Sequence, residues 1–199
     1  MFKKLPLELS ILRELQVLDL RGCRLLENVD EIHEVTKLLI LQISGAHFVE
    51  EIRDDLFEHM KDLRSLSLYE VGIKWLPASV LNQSELRWLI LRNCPNLKQL
   101  CDFKLLKTKE SAKQEVLSLA KLEVFDFFWF RLFHKYPDSL QTQIHFRILD
   151  LSGSAVNKLP RNISSLSHLL LSGCVELPKL PFTQGLQGLE ELNLSDITF

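Results

Sequence analysis

The sequence has no run of eighteen apolar residues. Its densest aromatic stretch, FDFFWF at 125–130, carries Asp126 within it and Arg131 directly after it, which excludes a transmembrane helix. An excess of basic charge is also missing. With 24 Lys and Arg against 26 Asp and Glu, a net charge of −2 and a pI near 6.3, the chain lacks the broad positive surface that non-specific nucleic-acid binding needs. Cysteine is scarce: the four cysteines show neither the Cys-x-x-Cys nor the Cys-to-His spacing of a zinc site, and they are not grouped towards the chain ends. Free thiols in a reducing compartment are expected. The six histidines (His33, His47, His59, His134, His145 and His168) are scattered, without His-x-x-x-His or a plausible dyad with cysteine. Gly-x-x-x-x-Gly-Lys-Ser/Thr, Gly-x-Gly-x-x-Gly and Gly-x-Ser-x-Gly are all absent. No catalytic residue, metal ligand or bound nucleotide is therefore expected in this chain. The start, MFKKLPLELSIL, sets a basic pair before an apolar stretch, but Glu8 interrupts it and no small-residue cleavage site follows, so it does not read as a signal peptide. The sequons at Asn82, Asn162 and Asn193 matter only in a secreted protein and are read as chance.

What is present is an ordinary globular composition, 46% hydrophobic and 25% charged, with enough apolar mass for a sizeable core. It is arranged in eight similar lines: LRELQVLDLRGC (12–23), VTKLLILQISGA (35–46), MKDLRSLSLYEV (60–71), QSELRWLILRNC (83–94), LAKLEVFDFFWF (119–130), QIHFRILDLSGS (143–154), ISSLSHLLLSGC (163–174) and LQGLEELNLSDI (186–197). Most follow L-x-x-L-x-x-L-x-L-x-x-small, the leucine-rich repeat signature. The last strand apolar residues, Leu20, Ile43, Leu68, Leu91, Phe127, Leu151, Leu171 and Leu194, are 23, 25, 23, 36, 24, 20 and 23 apart. The 36-residue step holds an insertion, placed at 98–117. The expected fold is an α/β repeat solenoid shaped as a horseshoe. A parallel β-sheet lines its concave face, and the convex face is loop-rich or short-helical. Each repeat contributes one short strand that cannot bury its apolar side alone, so neighbours share a core. Leu76-Pro77, Leu159-Pro160 and Leu180-Pro181 predict irregular or 3₁₀ returns, because proline removes a backbone donor.

This register assigns each side chain a direction. Phe125, Phe127, Phe130 and Phe133 are expected in the core, whereas Asp126 and Phe128 face the concave side with Trp129 just beyond. Cys23, Cys94 and Cys174 share the turn position where asparagine or cysteine satisfies backbone groups. Eight strands about 4.8 Å apart span roughly 35–40 Å, which is room for a protein partner. The candidate binding residues on this face are Tyr69, Trp88, Ile90, Arg92, Asp126, Phe128, Trp129, Asp150 and His168. Trp, Tyr and Arg are the types enriched at interface hot spots. The competing reading is that the insertion covers the large side chains. Residues 27–62 hold ten acids against three bases and are expected to form a solvated convex face, with contact to a basic partner domain as the alternative. The lysine-rich insertion is expected to be a partly mobile excursion with a short helix towards its end.

The irregular repeat lengths, the LRGC, LRNC and LSGC turns and the Leu-Pro returns resemble the leucine-rich repeat region of plant intracellular immune receptors. These are the disease resistance proteins that also carry a nucleotide-binding NB-ARC domain. The stretch RILDLSGSAVNKLPRNISSLSHLLLSGCVELPKLP carries most of the likeness. The resemblance implies a cytoplasmic region that recognises a pathogen effector or a guarded host protein and holds an NB-ARC domain inactive. ADP or ATP would then belong to that domain, whose motifs this chain lacks. Residues 1–199 are expected to be a single repeat domain of about eight repeats and, lacking polar capping elements at either end, a fragment of a longer chain. The alternative is a free-standing cytosolic repeat adaptor, for which more uniform repeat lengths would be usual. An extracellular ectodomain would want a signal peptide and cysteine caps.

Overall fold

The computed structural model describes residues 2–98, 100, 119–131, 146–160, 163–178, 180 and 185–197. Eight strands form one sheet: β1 (Val17–Arg21), β2 (Ile40–Ser44), β3 (Ser65–Tyr69), β4 (Trp88–Arg92), β5 (Val124–Phe128), β6 (Ile148–Asp150), β7 (His168–Leu170) and β8 (Glu191–Asn193). Their spatial order is their chain order, and every neighbouring pair is parallel. The register pairs Leu18 with Leu41 and Leu20 with Ile43, and Leu89 with Phe125 and Leu91 with Phe127. Alternate side chains therefore stack into two inward ladders, as the leucine spacing requires.

Both ladders are buried from β2 to β7, where Leu41, Leu66, Leu89, Phe125, Leu149 and Leu169 are all at most 1% exposed. Burying side chains of this size contributes about 1.5–3 kcal/mol each. At β8 the inward Leu192 is 46% exposed, because only one strand neighbours it. The aromatic stretch belongs to the core as its register demands. Phe125, Phe127 and Phe130 are buried, with ring centroids 4.6 Å and 4.7 Å apart in succession, and Phe146 stacks on Phe125 at 5.4 Å. Phe133 lies outside the described residues.

Two backbone ladders tie the repeats together. At each strand entry one carbonyl accepts two amides of the next repeat, as Arg87 O does from Glu123 N and Val124 N, both at 2.9 Å. At each strand exit the second residue past the inward marker adopts a left-handed conformation: Gly22, Gly45, Glu70, Asn93, Trp129, Gly153, Gly173 and Asp196. The amides of the first seven donate to the following repeat, from Gly22 N on Ser44 O at 3.0 Å to Gly173 N on Ser195 O at 2.8 Å. The turn cysteines complete this arrangement. Cys174 Sγ donates to Leu151 O at 3.0 Å, and Cys94 Sγ lies 3.6 and 3.8 Å from the carbonyls of Arg92 and Leu68.

The helical segments in the described returns are short. Pro6 precedes a 3₁₀ helix at Leu7–Ile11, and a second runs Asp30–Glu34 without a proline. Pro77 differs from the 3₁₀ expectation, since it leads into α1 (Ala78–Leu81), one α-helical turn. Its φ of −61° suits a helix start, where the missing donor costs nothing. The insertion expected at 98–117 falls, beyond Lys98 and Leu100, outside the described residues.

Candidate protein-binding face

The strand register decides which candidate residues meet. Tyr69, Arg92 and Phe128 are direct partners at the ends of β3, β4 and β5, so they form one row with the strand spacing of about 4.8 Å. Trp88 stands at the start of β4, in a row with Ser65 and Val124, about 13 Å along the strand from Arg92. Ile90, Asp126 and Asp150 occupy the middle row. Tyr69, Trp88, Phe128 and Trp129 are 38–44% exposed, and Ile90 and His168 are half-buried. His168 Nδ1 is 2.8 Å from Ser167 Oγ, and its Nε2 is 3.7 Å from Glu191.

The two acids have a different environment from the aromatics. Asp126 and Asp150 are buried, at 5% and 6% exposure. Each accepts an amide two residues on, Asp126 from Phe128 N at 3.2 Å and Asp150 from Ser152 N at 2.9 Å. Asp19 and Asn193 do the same in their own repeats. An acid or amide at this position therefore supports the strand exit before it serves any ligand. Arg92 holds Asp126 through Nε at 2.7 Å and through Nη2. Burial pushes the Asp126 carboxyl above its ordinary range, and the Arg92 guanidinium offsets only part of that rise. The same guanidinium lies 5.8 Å from the Phe128 ring centroid.

Among the described residues, ion pairs concentrate where the chain makes its longest step. Glu85–Lys121, Arg87–Glu123 and Arg92–Asp126 all join the fourth repeat to the fifth. Lengthening a connection from 23 to 36 residues adds only about 0.4 kcal/mol of closure entropy. The extra residues thus leave the register between β4 and β5 intact.

Beyond Phe128 the row runs into a groove that the alternation of strand positions does not reveal. Trp129 has φ +68°, in a region where a bulky residue costs about 1–2 kcal/mol relative to glycine. Its indole lies against Gly153 of the next repeat, where an added Cβ would stand 2.5 Å from Trp129 Cε3, and the Arg131 guanidinium sits 4.7 Å from its ring centroid. The groove holds about 540 Å³; Trp129 forms one wall, the Ser152-Gly153 and Ser172-Gly173 turns lie along it, and Glu176 and Asp196 stand at the far repeats. The consecutive LSGS and LSGC turns were the available sequence signal, because small residues side by side at a strand exit leave room. The expected acidic surface lies outside the sheet, with Glu50, Glu51, Asp54, Asp55 and Glu58 exposed and Lys74 bridging to Glu50 at 2.7 Å. Among the described residues no group of three or more His, Cys, Asp or Glu is placed to hold a metal ion, and no helix is long and apolar enough to cross a membrane.

Comparison with known proteins extends along nearly the whole chain. It is 32% identical over 213 aligned positions, 99% of its length, to an Arabidopsis thaliana protein named as disease resistance protein At4g19050, of which it covers 17%. A second Arabidopsis thaliana protein, named as disease resistance protein At5g45510, is 32% identical over 94% of the chain, which covers 16% of it. The chain thus spans about a sixth of the length of these curated relatives. Among solved structures, the leucine-rich repeat domain of the type III effector XopL superposes with a TM-score of 0.71 at 22% identity, over 96% of this chain and 71% of that domain. No family model matches the chain.

Proposed function

We propose that this leucine-rich repeat solenoid, whose homologues are plant disease resistance proteins, is the protein-recognition region of an intracellular plant immune receptor. In that role it engages a pathogen effector or guarded host protein and restrains an NB-ARC domain on the same polypeptide, in the cytoplasm. Any ADP or ATP switch belongs to that domain. The observation that carries the reading is the exposed row Tyr69–Arg92–Phe128 on three successive strands. Two aromatics flanking an arginine match the side-chain types enriched at protein interfaces. Likeness along nearly the whole chain to two disease resistance proteins favours a receptor region over a free-standing adaptor.

The test is site-resolved photocrosslinking in leaf cells. A benzophenone amino acid placed at Tyr69 or Phe128 is expected to give a discrete protein adduct. The same group at Phe48, which is 60% exposed away from the sheet, is expected to give none. Equal adducts from all three positions, or none from Tyr69 and Phe128, would reject the concave row as the contact surface.

A further inference from the structure

The groove beside Trp129 has a polarity that the concave row lacks. At its fifth-repeat end Arg131 is held over the Trp129 ring, 4.7 Å from its centroid. At its seventh- and eighth-repeat end stand Glu176 and Asp196, both exposed. Among the described residues neither carboxylate has an ion-pair partner. The two ends are two to three repeats apart, on the order of 10–14 Å, so the cation does not neutralise the acids across the groove. Between them the Gly153 and Gly173 turns leave the floor low, and Val175, 62% exposed, gives an apolar lip. An aliphatic stem fits this middle section and a positive head fits its acidic end, the division of labour a long basic side chain requires. A volume of about 540 Å³ lies within the range of small-ligand sites and exceeds one side chain, so the occupant is a short extended segment.

We propose that the groove lined by Trp129, Gly153, Gly173, Val175, Glu176 and Asp196 docks an extended segment of a protein partner through one arginine or lysine, its stem on the glycine turns and its cation between Glu176 and Asp196. The proposal rests on the reading that this chain recognises proteins, and adds a second contact with a stated chemistry. The Tyr69–Arg92–Phe128 row supplies broad apolar contact, and the groove selects for charge.

The probe is the tripeptide acetyl-Ala-Arg-Ala-amide, titrated into the ¹⁵N-labelled 199-residue chain, with acetyl-Ala-citrulline-Ala-amide as the uncharged control. Saturable shifts are expected at the Trp129 indole N–H and the Gly153 and Gly173 amides, and not at Gly22 or Gly45, the same turn positions in other repeats. Citrulline is expected to weaken the response at least fivefold, and the double variant Glu176→Gln/Asp196→Asn to abolish it. No saturable shift, an equal response to citrulline, or an unchanged response of the double variant would each overturn the proposal. Photocrosslinks from Tyr69, which lies outside the groove lining, alongside a silent groove would leave the recognition reading standing, and tripeptide binding without a Tyr69 adduct would remove the concave row alone.

Discussion

Arg92 at the end of β4 reaches across the sheet to Asp126 in the middle of β5, so the side chain at the centre of the exposed row also holds a buried charge of the concave face. Removing Arg92 and removing Asp126 should therefore have unlike effects. Arg92→Ala leaves a buried carboxylate unpaired, and a loss of about 1–3 kcal/mol is expected once the solvent exposure of the arginine is allowed for. Asp126→Asn keeps an acceptor for Phe128 N–H and removes the buried charge, so it should cost less. The pH dependence has a definite sign. Burial already raises the Asp126 pKa, so this group favours the fold most below its unfolded value of about 3.9 and progressively less as pH rises through the folded value. Without Arg92 that rise is larger, and the deficit of Arg92→Ala should shrink as pH falls from 7 towards 4. Urea midpoints for the two variants across that range check it; a constant deficit would mean Asp126 is not the group responsible.

Cys94 gives a second pH prediction at the alkaline end. Burial pushes its thiol from an ordinary 9.0 up to about 11, so the folded state resists its ionisation. The stabilisation is fully present below about pH 9 and is lost as pH rises towards 11. Cys94→Ala should flatten the decline in melting temperature over that window while costing about 1 kcal/mol at neutral pH. Iodoacetamide mapping of the native chain at pH 8 should label Cys23, which is only half-buried, well before Cys94 and Cys174. Equal labelling of Cys23 and Cys94 would contradict the burial of the turn thiols.

Gly153 separates a backbone cost from a steric one. Both Gly22 and Gly153 have positive φ, but nothing lies within 4 Å of a Cβ at Gly22, whereas one at Gly153 meets the Trp129 ring at 2.5 Å. Gly22→Ala should lose about 1 kcal/mol from backbone strain alone. Gly153→Ala should lose a further 1–3 kcal/mol or so from overpacking. Adding Trp129→Gly to Gly153→Ala should recover that further part, a coupling readable from a double-mutant cycle. Additive losses would place the indole elsewhere in solution.

The contrast between fold and site has a physical origin. Strand register was legible because leucine recurs at fixed spacing and a slip of one residue would turn every inward side chain outward. The assignment of Phe125, Phe127 and Phe130 to the core followed from that alone. The roles of Asp126 and Asp150 were not legible, since an outward register position says nothing about whether the side chain folds back onto its own strand exit. The groove was hidden for a related reason. It arises from backbone at the turns, where φ at Trp129 and Gly153 is positive, and the alternation of strand residues carries no signal there. The α-helical turn after Pro77 differs from the 3₁₀ expectation because a proline before a return permits either helix type.

Trp129 offers the sharpest separation of binding from stability. Six of the eight left-handed turn positions carry Gly, Asn or Asp, residue types that tolerate this conformation, whereas Trp129 is the bulkiest exception. Trp129→Gly removes the contact with Gly153 and the Arg131 cation–π interaction, the latter worth about 0.5–1 kcal/mol at an exposed site. It also releases about 1–2 kcal/mol of backbone strain. The terms oppose, so unfolding free energy should change by no more than about 1 kcal/mol. Meanwhile the groove loses its wall, and the arginine tripeptide should shift the Gly153 and Gly173 amides at least fivefold less. Stability measured by urea titration and binding measured on the same sample distinguish the two roles. A loss of stability well above 2 kcal/mol, with tripeptide binding retained, would make the indole a packing wedge between repeats. Unchanged stability with lost binding would mean that the strain at this turn is maintained for the ligand.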